Sequence, residues 1–236
     1  ITKITRHLLS PFATIKKILY KIQSLVLIPF YKQKEFENKQ NEIFLKLGLD
    51  REKALLKSSE IKKNYKFINK PMLSEHQILF AALSLKKQSF KILEIGTFDG
   101  INAFYLSKLF PESKILTIDL DENDTAFKKF YNRNDNSKLK AFCEERDKVL
   151  GLSKNIIFKK LDSMNLIFSD EKYDLIWIDG AHGYPFVTID IANSIRMLNN
   201  NGLILCDDVW KDTPLNQDSM YNSIATFETL EKLKKS

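Results

Sequence analysis

The chain has 236 residues, 44% of them hydrophobic and 28% charged, which is ordinary for a globular protein and enough for one substantial α/β core plus an appendage. Its net charge of +7 suggests a polyanionic partner only until the charge is located: residues 1–40 hold eight Lys and Arg against Glu35 and Glu37, so the rest is near neutral. That body carries no basic motif interleaved with aromatics, which argues against specific nucleic-acid binding.

Along the chain, Ile15, Ile18, Leu19, Ile22, Leu25 and Val26 recur at helical spacing with Lys16, Lys17 and Lys21 between them. This predicts a basic amphipathic helix within residues 10–31, stopped near Pro29. Such a helix fits packing on its own domain or on a partner subunit of a homo-oligomer. It also fits peripheral contact with an anionic membrane surface. The apolar run 25–30 is too short to span a bilayer and lacks a small-residue cleavage site. Residues 33–57 predict a second helix carrying Phe36, Ile43, Phe44 and Leu47, with a break at Gly48. The lysine-rich stretch 57–70 reads as a connector to Pro71. The expected organisation is a basic helical extension over residues 1–70 and a second domain over 71–236. A start at Ile1 rather than Met is what a fragment would show.

From Ser74 the alternation of helix and strand becomes regular. A helix is predicted from Ser74, a candidate N-cap, to about Leu85. Strands are predicted at 91–95, 114–118, 155–160, 173–178 and 202–206, with helices between them and a last helix over 221–233. Five strands in this alternation predict a doubly wound, mainly parallel sheet, with ligands outside the carboxyl ends of its strands. The connection 121–154 exceeds one crossover helix, and its polar run 132–140 reads as an inserted surface element. Cys143 and Cys206 form no metal or redox motif, which predicts reduced thiols in the cytoplasm.

The first strand runs into Glu94-Ile95-Gly96-Thr97-Phe98-Asp99-Gly100 and then a helix. Between Glu94 and Ser107 there are two acids and no base. A pyrophosphate wants positive charge at such a corner, and the third glycine of the dinucleotide fingerprint is missing. An acidic corner suits a ligand with an ammonium group. Asp119 ends the second strand, where an acid commonly accepts from ribose hydroxyls, though helix capping explains it as well. Asp162-Ser163 ends the third, where Asp162 fits the exocyclic amine of an adenine. Asp179-Gly180-Ala181-His182 ends the fourth and Asp207-Asp208 the fifth. Three converging carboxylates need a neutralising proton or cation, and an all-oxygen set suits Mg²⁺. The alternative for these aspartates is helix capping. His182, three residues past Asp179, suits a general base, or else is a polar loop histidine. His76 and His7 read as structural or solvated.

These segments resemble the S-adenosylmethionine-dependent methyltransferases of the Rossmann-like class, and among them the metal-dependent O-methyltransferases of catechol and macrolide-sugar type. The resemblance covers about residues 72–212. It implies S-adenosylmethionine and Mg²⁺ as cofactors. It also implies a cofactor site at Glu94, Gly96, Thr97, Phe98, Gly100, Asn102, Asp119, Leu120, Asp162 and Ser163, with Asn102 where many members have serine. It implies metal ligands Asp179, Asp207 and Asp208, the second 28 residues after the first, and His182 as base. Histidine rather than lysine there tilts the acceptor from a catechol toward a hydroxyl of a small molecule, sugar or glycan. The family's last two strands have too little chain left to form them.

Overall fold

The structure, a computed structural model, describes residues 32–69, 74–87, 89–129, 134–212 and 223–235. The amphipathic helix expected within 10–31 lies outside the described residues. The chain divides into two compact units between Arg51 and Glu52.

The first unit contributes α1 (Gln33–Lys46). Gly48, at φ 66°, ends it as the sequence predicts. The glycine turns left-handed, and the Leu49 N–H closes back on the Phe44 carbonyl at 2.7 Å.

The second unit takes in all but the first residue of α2 (Arg51–Asn64), so the expected connector is helical over 57–64. Its buried side chains include Ala54 and Ser58, one turn apart, at 0% and 3% exposure. A stripe of small residues lets a helix lie close without large apolar side chains, and that is why hydrophobic periodicity passes over it. A 3₁₀ turn (Lys66–Ile68) follows, then α3 (His76–Lys86). The residue before α3 is Glu75, which makes no side-chain cap, while Ser74 Oγ accepts from the His76 N–H at 3.3 Å.

The sheet has five strands in the order β3-β2-β1-β4-β5, all parallel. They are β1 (Lys91–Ile95), β2 (Lys114–Asp119), β3 (Ile156–Lys160), β4 (Tyr173–Ile178) and β5 (Leu198–Cys206). Between them run α4 (Ile101–Leu109), α5 (Thr125–Lys129), α6 (Asn136–Leu150), a 3₁₀ helix (Ser163–Phe168) and α7 (Phe186–Arg196); α8 (Ala225–Leu233) follows β5. Parallel crossovers are right-handed. The chain steps from β1 outward to β3, then returns past β1 to β4, so helices before and after the return lie on opposite faces. α4 packs on α3 and α6, while α7 packs on the 3₁₀ helix, β4 and α8. The reversal leaves a crevice between the carboxyl ends of β1 and β4.

The central strands are apolar on both faces: Ile92, Leu93, Leu175 and Ile176 are 0% exposed. β5 starts earlier than predicted because its pairing slips, with Tyr173 opposite Leu198 but Leu175 opposite Leu203. The Asn199–Asn201 run that looks like a turn in sequence is the irregularity inside the strand. Residues 136–140, read as an insertion, are the first turn of α6, whose N-cap Asp135 accepts from Ser137 and Lys138 N–H groups. Cys206 is a free cysteine. After β5 the described residues add α8 and no strand, and no described helix is long and apolar enough to cross a membrane.

Candidate cofactor pocket and acidic cluster

Two glycines shape the turn after β1. Gly96 has φ +99°, and a Cβ there would stand 2.1 Å from the Asp179 carbonyl oxygen. Only glycine lets the ends of β1 and β4 come this close. Gly100, at φ +74°, precedes α4, and a Cβ on it would meet the Leu150 side chain at 2.9 Å. Between them Phe98 is held at φ 49°, a conformation costing about 1 kcal/mol for a residue with a Cβ. Its N–H donates to Asp119 Oδ2 at 2.9 Å, while Asp119 Oδ1 accepts from Leu120 N–H at 2.8 Å. One carboxylate at the end of β2 thus ties both loops together.

Glu94 lies beneath this turn. It is fully buried, accepting from Asn102 Nδ2 at 2.8 Å and from Thr117 Oγ1 at 2.5 Å. The single Thr117 proton is committed to Glu94, so Thr97 Oγ1, 2.6 Å away, donates to Thr117. Burial pushes the Glu94 carboxyl up to about 7 despite these hydrogen bonds.

Above the turn is a cavity of about 230 Å³. Gly96, Phe98, Asp119, Leu120, Asp162 and Ser163 line it; Glu94, Thr97, Gly100 and Asn102 stand behind the lining and hold it in shape. The apolar wall includes Ile118, Leu161, Phe127 and Phe186. Among the described residues its charged groups are Asp119, Asp124, Asp162, Asp179 and Asp190, with no Lys, Arg or His. Such a lining suits a cationic ligand with a flat apolar part. Asp162 is the N-cap of the 3₁₀ helix and accepts from Met164 N–H at 2.9 Å. Asp124, Phe127 and Asp190 escaped the sequence reading. The first two sit on or beside the short α5, and Asp190 sits inside α7, away from any strand end.

The carboxyl ends of β4 and β5 carry the second group. Ile178 pairs with Cys206, and the Asp207 N–H continues the ladder to the Ile178 carbonyl at 2.9 Å. Asp179 and Asp207 therefore leave neighbouring strands side by side. Burial, with Asp207, Glu94 and Asp208 adding repulsion, raises the Asp179 carboxyl well above its ordinary value. Burial also raises Asp208, against the pull of His182. His182 is 4% exposed, and its Nε2 stands 3.6 Å from both Asp179 Oδ1 and Asp208 Oδ2. Burial lowers its pKa against the opposing pull of Asp208 and Asp207, leaving a neutral imidazole near pH 7 that can accept a proton. A second histidine joins this face. His76, from the start of α3, reaches within 4.0 Å of Asp207 Oδ1 and packs against Trp177 and Phe80. Nothing in the sequence links positions 76 and 207; the parallel sheet brings them together.

Asp179, Asp207 and Asp208 offer the hard oxygen donors a divalent cation takes, and the raised carboxyls of Asp179 and Asp208 show unrelieved negative charge. Among the described residues no three His, Cys, Asp or Glu side chains converge tightly enough to form a metal cage.

Residues 93–209 match the family model described as a methyltransferase domain. Among curated proteins no sequence matches the chain. Among solved structures, a putative caffeoyl-CoA O-methyltransferase from Staphylococcus aureus is similar, with a TM-score of 0.50 at 15% identity, over 75% of this chain and 82% of that one. The methyltransferase PaMTH1 from Podospora anserina, solved with SAH bound, gives 0.47 at 19% identity over 78% and 79%. The O-methyltransferase TomG from Streptomyces achromogenes, solved with SAM, gives 0.45 at 17% identity over 87% and 86%.

Proposed function

The chain carries a methyltransferase domain over residues 93–209, and from that premise we propose that it is a class I, S-adenosylmethionine-dependent enzyme that methylates a hydroxyl of a small molecule, sugar or glycan. The cofactor's ribose is assigned to Asp119 and its adenine to the apolar part of the cavity, with Glu94, Thr97, Gly100 and Asn102 shaping the site from behind. When bound, S-adenosylmethionine supplies an electrophilic methyl group on a sulfonium. A hydroxyl must lose its proton as its oxygen takes that methyl, and a buried neutral imidazole one residue beyond Ala181 of the cavity wall supports this chemistry. His182 takes the proton, and the carboxylates of Asp179 and Asp208 beside it stabilise the imidazolium that results. That placement of His182 is the observation that carries the reading.

In this proposal Asp179, Asp207 and Asp208 hold Mg²⁺, which would lower the pKa of a bound hydroxyl. The missing three-donor cage among the described residues favours a second reading, in which the same transfer runs without metal. Residues 1–70 serve as an extension to a catalytic domain over 71–236. Their basic helical pattern supports peripheral contact with anionic membranes or a homo-oligomeric contact, and vesicle binding lost on deletion of residues 1–32 would support the former.

The test is transfer of a labelled methyl group to pooled sugars and phenols, with Mg²⁺ and with EDTA. Transfer that EDTA abolishes supports the first reading. Transfer that survives EDTA supports the second. Cofactor binding with no transfer to any hydroxyl overturns both, leaving a non-catalytic cofactor-binding module.

A further inference from the structure

The cofactor pocket has one carboxyl that the reading above does not use. Asp190 lies on the inner stripe of α7 with Val187, Ile191 and Ser194 and is 1% exposed, yet it lines the cavity. Its Oδ2 backs onto Gly180, 3.6 Å from where a Cβ on that glycine would stand. Its carboxyl accepts a hydrogen bond from Ser163, at the end of β3. Its Oδ1 is buried with no hydrogen-bond partner. An acid set among apolar side chains of a helix with one oxygen unsatisfied carries a cost that a fold normally avoids. The cost is recovered if a ligand brings a donor to that oxygen.

The position narrows which donor. Asp119, at the end of β2, is assigned to the ribose. In that reading the adenine would lie beyond it, among the apolar lining side chains of Leu120, Leu161 and Phe186, with its edge toward the loop of Asp162 and Ser163. Asp162 was the first candidate to meet that edge. Asp162 is exposed, so solvent satisfies whatever the Met164 amide leaves open, whereas the Asp190 oxygen is buried and has nothing.

We propose that Asp190 reads the purine: its Oδ1 accepts a hydrogen bond from the exocyclic amine of the cofactor and so selects adenine over a 6-oxopurine. A 6-oxopurine would set a carbonyl oxygen against the carboxylate and leave it unpaired, which is the kind of mismatch that discriminates strongly. This inference rests on the cofactor reading given above.

The test is calorimetric titration of the full chain with S-adenosylhomocysteine and with its 6-oxo analogue, S-inosylhomocysteine. Wild type binds the adenine form at least about tenfold more tightly. In Asp190→Asn the ratio narrows to about threefold or less, because an amide can turn its oxygen to an amine or its nitrogen to a carbonyl. Asp162→Asn keeps the wild-type ratio, whatever it does to the affinities. A purely structural role for Asp190 would weaken both ligands alike and preserve the ratio, and that result overturns the proposal. So does a wild-type ratio near one, or a ratio lost in Asp162→Asn. Those last two outcomes stand even where Asp190→Asn fails to fold. If wild type binds neither ligand, the cofactor reading itself has failed.

Discussion

The corner over β1 and β2 and the cluster over β4 and β5 are both built from acids at strand ends, yet they treat those acids differently. At the first, Glu94 and Asp119 spend their oxygens on Asn102, Thr117 and two backbone amides. The loop is therefore held in shape before a ligand arrives. At the second, Asp179 and Asp208 face each other's charge across His182, and their carboxyls are pushed upward. The first region is preorganised and resembles a binding site. The second holds unrelieved charge that a cation, a proton or a reacting group must settle, as a site of chemistry does.

The hardest way to break this contrast is Gly96→Ala. A Cβ 2.1 Å from a backbone oxygen cannot be absorbed by a side-chain shift, so the β1 and β4 ends must part. A loss of about 4 kcal/mol or more is expected by chemical denaturation, together with loss of cofactor binding. Next is His182→Ala, which should lower kcat about 10²- to 10⁴-fold, read by labelled methyl transfer, while the cofactor affinity stays within about twofold. Equal losses in both would mean that the two regions are not separable.

The pH dependence of stability tests the first region alone. Glu94 has its folded pKa raised to about 7 by burial, so the folded state binds the proton more tightly than the unfolded state. The stabilising effect of that proton is complete below the unfolded value near 4.5 and is lost as pH rises through about 7, amounting to about 3 kcal/mol. In Glu94→Gln the fall in denaturation free energy between those pH values should flatten. The smallest effect expected is that of Asn102→Ala, about 1–2 kcal/mol for one hydrogen bond to a carboxylate. It should also move the pH-dependent fall upward, since that hydrogen bond holds the Glu94 pKa down.

Much of this was legible in the sequence because its signals are local. The buried strands Lys91–Ile95 and Tyr173–Ile178 are continuous apolar runs bounded by turns, and their ends follow from the pattern alone. Asp119, Asp162, Asp179 and Asp207 were visible because a parallel sheet makes each strand end a predictable place. What stayed hidden depends on packing across the chain. The helix over 57–64 is carried by Ala54 and Ser58, small side chains with no hydrophobic signature. Asp190 looks in sequence like a solvated position in an amphipathic helix, and only the approach of Ser163 and Gly180 shows it to be buried. His76 is brought to Asp207 by the return of the chain to β4, more than a hundred residues later.

The central claim is that the acidic corner over β1 and β2 is a preformed site for an adenosine-bearing cation, which meets the cluster assigned to the chemistry at Asp179 but binds its ligand without His182. Calorimetric titration with S-adenosylmethionine tests it most directly. Saturable binding is expected in wild type, unchanged in His182→Ala and weakened about tenfold or more in Asp119→Ala, where the ribose acceptor and the two-loop tie are both removed. Absence of binding in wild type, or binding lost in His182→Ala and kept in Asp119→Ala, would contradict it.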